Sequence, residues 1–514
     1  MRVIYSGLFE DFWLKTAQLL SDENGWQPVY WIATPEAETT IRDGYPDVIF
    51  HPLLSAIKGI PAPAYARRLC MPLDQPIIQQ NAYAELLLLR MMDRYDALGS
   101  LDYNDRVRLL HRLMIYWQTV LDDTQPDLVM FTVIPHMIYD YVLYEYCKQR
   151  GIRTLMFEST PFLGRTFIME TFERASPAEV FYNKLLADPV PENVFLSDEV
   201  DTYIRSLKGS YRDAPVYIRR DPKEKLYQGG ASSSKSVLQK LLDFDKYTKY
   251  SEKQIRMLRA RVTVPPNYVK QKHKKLENSQ MNFLGYQIFR ARSRRRMRQL
   301  ERRYKQLAVE LDFDQPYIFV ALSYQPERTT SPMAGAFVEQ YLIVDMLSKA
   351  VPDGWKIYVK EHPTQFTPAK YFRAQSGRSL DIYDDMVALP NVHLVPMDIS
   401  SYDLIDHAQA IAATTGTAGW EALHRGKPVL LFGLPWYRGC EGTFQIDTYE
   451  SCLSALEKIR AGYALDAQKI RLFVSALEET AIDVSVEPHL QIKPLTADEK
   501  AARLVEAIQE FVAV

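Results

Sequence analysis

Short apolar runs, each closed by a small or polar turn and followed by a helical stretch, recur in two separate halves of this chain and leave few folds open to it. In the first half, residues 2–6 run into Gly7, and further runs follow at 29–33, 48–50, 128–132 and 154–157. Residues 82–122 repeat apolar side chains three and four apart, and 137–150 do so again before Gly151. The second half has runs at 317–322, 356–359, 392–395, 410–413 and 429–432. Such alternation predicts mostly parallel sheets with helices on both faces. At 514 residues the chain is too long for one core. The expectation is an α/β protein of two domains, 1–195 and 311–490, facing a cleft. A C-terminal helix within 491–514 is expected to cross back onto the first domain.

Between them, 196–310 breaks the pattern and reads as a basic, mostly helical insertion. It contains the soft stretch Gly229-Gly230-Ala231-Ser232-Ser233-Ser234 and the punctuation Pro265-Pro266. The net charge of −2 conceals a strong asymmetry. Residues 215–305 carry 25 Lys and Arg against 7 Asp and Glu, and the rest of the chain carries 37 against 57. The densest run is Arg290-Ala-Arg-Ser-Arg-Arg-Arg-Met-Arg298, followed by Arg302-Arg303-Tyr304-Lys305. A run of this kind is either a solvated helix face or a surface for an anionic partner. Its interleaved apolar residues (Met281, Phe283, Leu284, Tyr286, Ile288, Phe289) extend the second reading to an interfacial helix on an anionic membrane. Nucleic acid is not the partner expected.

Four cysteines are scattered without a CxxC, which argues against a zinc site and a disulfide framework and suits a reducing cytoplasm. No signal-peptide pattern opens the chain, and no stretch approaches about 20 uninterrupted apolar residues. The expected location is cytoplasmic, at most peripheral at a membrane. No metal is expected: HExxH and trusted His/Cys spacings are missing, and the acidic pairs Asp243/Asp245 and Asp384/Asp385 read as surface.

Ligands of open α/β sheets sit beyond the carboxyl ends of strands, so chemistry is sought there. Thr414-Thr415-Gly416-Thr417 joins an apolar strand to a helix carrying Glu421, a setting that offers free N–H groups and the positive helix end to an anion. Lys360-Glu361-His362-Pro363 ends another strand, with His362 able to donate to a phosphate and Pro363 fixing the turn. Thr415 and Thr417 serve equally as helix caps, and Glu421 serves either as a ribose acceptor or as a first-turn acid. In the first half, Glu158 and His136 follow strands. Either suits a general base for an acceptor hydroxyl, and either suits a structural role. Glu327 competes for the same task, while Arg328 beside it suits a carboxylate.

These residues carry a resemblance. Gln325-Pro326-Glu327, Lys360-Glu361-His362-Pro363, the run from Thr415 to Leu423, Gly426-Lys427-Pro428-Val429, Trp436-Tyr437 and Gly442-Thr443 resemble the bacterial capsule polysaccharide biosynthesis family of GT-B glycosyltransferases. That family includes enzymes that move Kdo, a 2-keto sugar acid, from its CMP ester. Bacterial GT-B sialyltransferases similarly use an HP pair and a Ser/Thr-rich turn around the CMP phosphate. The resemblance is concentrated in 317–443 and extends to the first half only in architecture. It implies two Rossmann-like domains, with Lys360, His362, Pro363, Thr415, Gly416 and Thr417 at the donor phosphate and Glu421 at the ribose. Residues 397–401 would lie against the base, and Gln325, Arg328, Thr329 and Thr330 would hold the donor sugar. It further implies metal-independent transfer of Kdo or a nonulosonic acid from a CMP donor to a glycan or lipid-linked acceptor, with no cofactor. The alternatives are a UDP- or GDP-sugar transferase of the same fold, a CDP-polyol phosphotransferase, and a non-catalytic scaffold for anionic lipid or glycan.

Overall fold

The computed structural model describes residues 1–68, 72–96, 99, 101–209, 283–367 and 374–513, with 283–287 as backbone alone. Two six-stranded sheets organise it. The first contains β1 (Arg2–Ser6), β2 (Gln27–Ala33), β3 (Ile49–Pro52), β4 (Leu128–Phe131), β5 (Arg153–Ser159) and β6 (Thr166–Met169). The second contains β7 (Tyr317–Ala321), β8 (Lys356–Lys360), β9 (Val392–Leu394), β10 (Ala410–Ala413), β11 (Val429–Leu431) and β12 (Thr443–Gln445). The orders are β3-β2-β1-β4-β5-β6 and β12-β11-β10-β7-β8-β9. Counted from each domain's own first strand, both are the 3-2-1-4-5-6 order of the doubly wound dinucleotide fold. Each sheet therefore reverses direction once, between β1 and β4 and between β7 and β10. Strand ends of the two sheets meet across a cleft, which makes the architecture GT-B.

All pairings are parallel except β5 with β6. The antiparallel β6 escapes a sequence reading because its turn, Thr160–Arg165, is short and its strand has only four residues. The strands are nearly continuous apolar runs, as strands covered on both faces require. In the second sheet Ile318, Val320, Ile357 and Val359 fill one core, while Tyr317, Phe319, Tyr358 and Ile411 fill another.

Both ends of the stretch expected to be an insertion are built into the domains. Helix α1 (Asp11–Asn24), α2 (Tyr139–Arg150) and α3 (Pro177–Leu185) belong to the first domain, and α4 (Asp198–Lys208) buries Val200, Tyr203, Ile204 and Leu207 in a cluster that α2 and α3 share with Trp420 and Leu423 of the second domain. Helix α5 (Phe283–Leu307) carries the densest basic run, yet it seats Met297, Leu300 and Tyr304 fully buried in the second domain's core. Residues 210–282 lie outside the described residues, as do Met281, Cys70 and the pair Asp243/Asp245.

After α6 (Thr417–His424), the chain returns to the first domain earlier than the expected border at 490. Helix α7 (Ala467–Thr480) lies on α3, with Tyr182 and Phe473 in edge contact at 5.3 Å. Ile482 bridges to Thr166 on β6. Helix α8 (Ala497–Ala513) then packs Leu504, Val505 and Ile508 with Phe12, Trp13 and Leu20 of α1. Among the described residues no helix is long and apolar enough to cross a membrane.

Candidate active site at the domain interface

The switch point of the second sheet is closed by hydroxyls. Ser323, just past β7, lies 2.7 Å from Thr414, just past β10, oxygen to oxygen. The next residue, Thr415, donates its hydroxyl to the carbonyl of Thr329 at 2.7 Å. Gly416 is the N-cap of α6, and no side chain caps the helix there. The Thr417 and Ala418 amides therefore have no intrahelical partner and present the positive helix end to the cleft. Tyr437 donates to the Gly416 carbonyl at 2.7 Å and fixes the turn from behind. A Cβ on Gly419 would collide with the Tyr437 hydroxyl and come within 3.0 Å of Val429 Cγ1. Gly419→Ala is expected to destabilise the domain by about 1–3 kcal/mol through overpacking. A thermal melt checks this, and an unchanged midpoint would mean that Tyr437 can step aside.

Glu421, expected at a ribose, is only 5% exposed and accepts the Thr417 hydroxyl at 3.0 Å, so it buttresses the turn. Lys360, expected at the phosphate, is 3% exposed and its Nζ reaches the Ile399 carbonyl and, at 3.3 Å, Ser401 Oγ. It ties the 397–401 loop to β8. Gln325, expected at the sugar, is buried, with its amide donating to the Val338 carbonyl and its side-chain oxygen taken by Arg378. Thr330 is buried and bonds to the Glu327 carbonyl at 2.9 Å. In the structure each of these four side chains engages a group of the protein itself.

The organiser of this framework has no signal in the sequence. Arg378 grips both Glu361 oxygens, at 2.8 and 3.0 Å, and donates to the Ser323 carbonyl at 2.9 Å. Both side chains are fully buried. Tyr383 adds a bond to Glu361 at 2.7 Å, and the His362 amide adds another at 2.7 Å. Arg378 thus joins the strand ends of β7 and β8. His362 is half-buried, and its Nδ1 accepts from the Thr364 amide at 3.1 Å. An amide can only donate, so neutral His362 carries its proton on Nε2 and is a hydrogen-bond donor there.

The first domain supplies the opposing wall. Glu158, at the end of β5, is 7% exposed. Burial pushes its carboxyl up to about 7, with Arg328 and Arg438 pulling against the rise and Glu487 adding to it. Arg328 is paired with Glu487, a residue of the returning C-terminal segment, rather than open to a donor carboxylate. Its neighbour Thr329 receives Thr415, so Glu158 and the turn at α6 are linked through one short loop. Arg438, which no sequence pattern singles out, lies 3.5 Å from Glu179 and has a buried Nη1 without a hydrogen-bond partner. His136 donates from Nδ1 to the Ile134 carbonyl at 2.7 Å. A carbonyl only accepts, so neutral His136 holds its lone pair on Nε2, the tautomer opposite to that of His362. Arg94 bonds both the His136 carbonyl (3.2 Å) and the Ser331 carbonyl (2.9 Å), clasping the two domains. Buried Asp140, its carboxyl raised to about 6 by burial, accepts from the Met137 amide and orders the same loop. Glu327 is exposed and accepts from Thr329 Oγ1 at 3.1 Å, so it caps its own turn. Asp384 pairs with Arg303 on the surface. Among the described residues no group of three or more His, Cys, Asp or Glu is arranged to hold a metal ion.

Residues 236–459 match the family model described as "Capsule polysaccharide biosynthesis protein". The matched residues, fewer than half of the chain, contain α5, β7–β12, α6 and every donor-side group described above, whereas Glu158 and His136 lie outside them. Among curated proteins, the chain is 34% identical over 83 residues to the capsule polysaccharide modification protein LipA of Neisseria meningitidis serogroup A. The serogroup B protein matches at 32% over 83 residues. Each match takes in 16% of this chain and spans only 10% of the relative's length. Among solved structures, the chain is similar to the KpsC beta Kdo 2,7 transferase of Thermosulfurimonas dismutans, at 14% identity and a TM-score of 0.26 over 79% of this chain and 90% of that one. It is also similar to the UDP-GlcNAc 2-epimerase of Methanocaldococcus jannaschii, at 10% identity and a TM-score of 0.24 over 93% and 98%.

Proposed function

We propose that the chain is a glycosyltransferase of bacterial surface polysaccharide assembly, moving a 2-keto sugar acid from its CMP ester to a glycan or lipid-linked acceptor. The observation that supports this reading most is the opposition of two prepared groups. On one wall stand an uncapped helix N-terminus and a histidine fixed as a donor. On the other stands a buried carboxyl raised to about 7.

In this reading the His362 Nε2–H and the Thr417 and Ala418 amides hold the single phosphate of CMP. As the anomeric carbon–oxygen bond to phosphate breaks, CMP leaves with that oxygen and its charge stays on these donors. The acceptor oxygen bonds to the anomeric carbon, and its proton passes to Glu158, whose position near neutrality suits a general base. His136, with its Nε2 lone pair, orients the acceptor hydroxyl or takes the proton itself. No cofactor is assigned. A cytoplasmic, reducing location fits the buried free thiols Cys147, Cys440 and Cys452.

The test is a calorimetric screen of CMP, CDP, UDP, UMP and GDP on the wild type and His362→Ala. CMP is expected to bind selectively and to raise the melting midpoint by mass action. The variant is expected to weaken CMP binding about 10–100-fold, the worth of one charge-assisted hydrogen bond. A preference for UDP or GDP would replace the donor assignment, one for CDP would favour phosphotransfer, and no response to any nucleotide would leave a binding scaffold.

A further inference from the structure

Helix α5 has two faces with different fates. Ser293, Met297, Leu300 and Tyr304 point into the second domain and are buried. At about 100° per residue, Arg295, Arg298 and Arg302 fall on the opposite side and Arg294 on the flank, and all four are exposed. Among the described residues none of the four has an ion-pair or hydrogen-bond partner, in contrast to Arg303, which meets Asp384, and Lys305, which meets Glu301. Arg294, Arg298 and Arg302 stand at successive spacings of four, a like-charge ladder that weakens a helix in water. Folding alone gives no reason for that ladder, and an external anion does.

We infer that the outward face of α5, centred on Arg294, Arg295, Arg298 and Arg302, docks the protein on an anionic phospholipid surface. The four arginines stand on a convex rod and span about 12 Å of axis at 1.5 Å per residue. A convex row of unpaired cations matches a plane of anionic headgroups, which can meet all four at once. Docking through these four arginines is electrostatic rather than by insertion, because Met297, Leu300 and Tyr304 behind them are covered by the protein core. Of the apolar residues behind the interfacial-helix expectation, Met281, Phe283, Leu284 and Tyr286 lie outside the described side chains, Ile288 is 45% exposed and Phe289 is partly buried.

The inner face of the same helix touches the site framework. The Tyr304 hydroxyl donates to the Val395 carbonyl at 2.6 Å and accepts from the Glu361 amide at 3.2 Å. Arg296 donates to the carbonyls of Gln375 (3.0 Å) and Arg378 (2.8 Å). The docking surface is therefore rigidly joined to the strand end that carries His362. An enzyme whose acceptor sits on a lipid would be held with its cleft at a fixed attitude to the membrane.

The test is co-sedimentation of the full chain with phosphatidylcholine vesicles, with and without phosphatidylglycerol. It needs no donor and no turnover, so its failure is separate from failure of the transfer reading. Wild type is expected to pellet only with the anionic vesicles, and added salt should release it. Changing all four arginines to Glu is expected to weaken binding roughly tenfold or more. Changing them to Lys should retain binding, since charge is conserved. An unaltered melting midpoint and retained nucleotide response certify that the Glu variant is folded. Equal binding to neutral vesicles, full binding by the Glu variant, or capture by an anionic glycan or nucleic acid without vesicle binding would each overturn the inference.

Discussion

Arg378→Met is expected to cost about 3–5 kcal/mol of stability and to abolish nucleotide binding together with it. Removing one partner of a buried ion pair leaves the other charge in the protein interior without compensation. Here the abandoned group is Glu361, whose oxygens receive Arg378, Tyr383 and the His362 amide. The same guanidinium holds the Ser323 carbonyl beside the switch-point hydroxyls. Loss of Arg378 therefore loosens β7 and β8 ends together. Urea unfolding followed by tryptophan fluorescence measures it, with Trp420 and Trp436 buried near the turn. The double change Arg378→Met with Glu361→Leu should recover part of the loss, because two apolar side chains replace two charges. A single variant within about 1 kcal/mol of wild type would show that this pair does not hold the site.

Glu158→Gln should separate catalysis from stability. As a general base, Glu158 contributes on the order of 100- to 10,000-fold, and kcat should fall by that range. The wild-type rate should rise with pH through about 7 as the carboxyl ionises, and the variant's residual rate should lack that limb. Stability should move the other way. The folded value, about 7, lies above the unfolded one, so the protonated form is favoured by folding. That contribution is complete below the unfolded value near 4.5 and is lost as pH rises through 7. The cost at pH 8 is about 3 kcal/mol. A neutral glutamine avoids it, so the variant should melt at or above the wild-type temperature at pH 8. Full activity in Glu158→Gln would transfer the base role to His136, whose Nε2 lone pair is already set by the Ile134 carbonyl.

Much of this was legible in the chain because strands covered on both faces announce themselves as apolar runs, and the sites follow their ends. The turn at Thr414–Thr417 and the pair His362-Pro363 were found that way, as was Glu158. What stayed hidden are contacts across long sequence separations. Arg378 lies 17 residues beyond Glu361, in a polar stretch with no periodicity. Arg328 suggested a donor carboxylate, but its partner Glu487 comes from 159 residues away. Lys360 and Gln325 were read as ligand groups because a sequence does not reveal which polar side chains the fold itself consumes. In α5 the charge run masked the apolar triplet Met297, Leu300 and Tyr304, which anchors the helix.

The return of the C-terminus to the first domain bears on how the protein is made. A chain emerging from the ribosome presents β1 to β6 and α1 before β7 to β12 and α8. The apolar side of α1, with Phe12, Trp13 and Leu20, packs on the sheet (Trp13 meets Phe157 at 4.9 Å), and Leu504, Val505 and Ile508 complete its cover. The outer edge at Thr166 waits for Ile482. Residues 1–209 of the first domain thus wait for residues 467–513, and the uncovered face must be shielded while the second domain is synthesised between them.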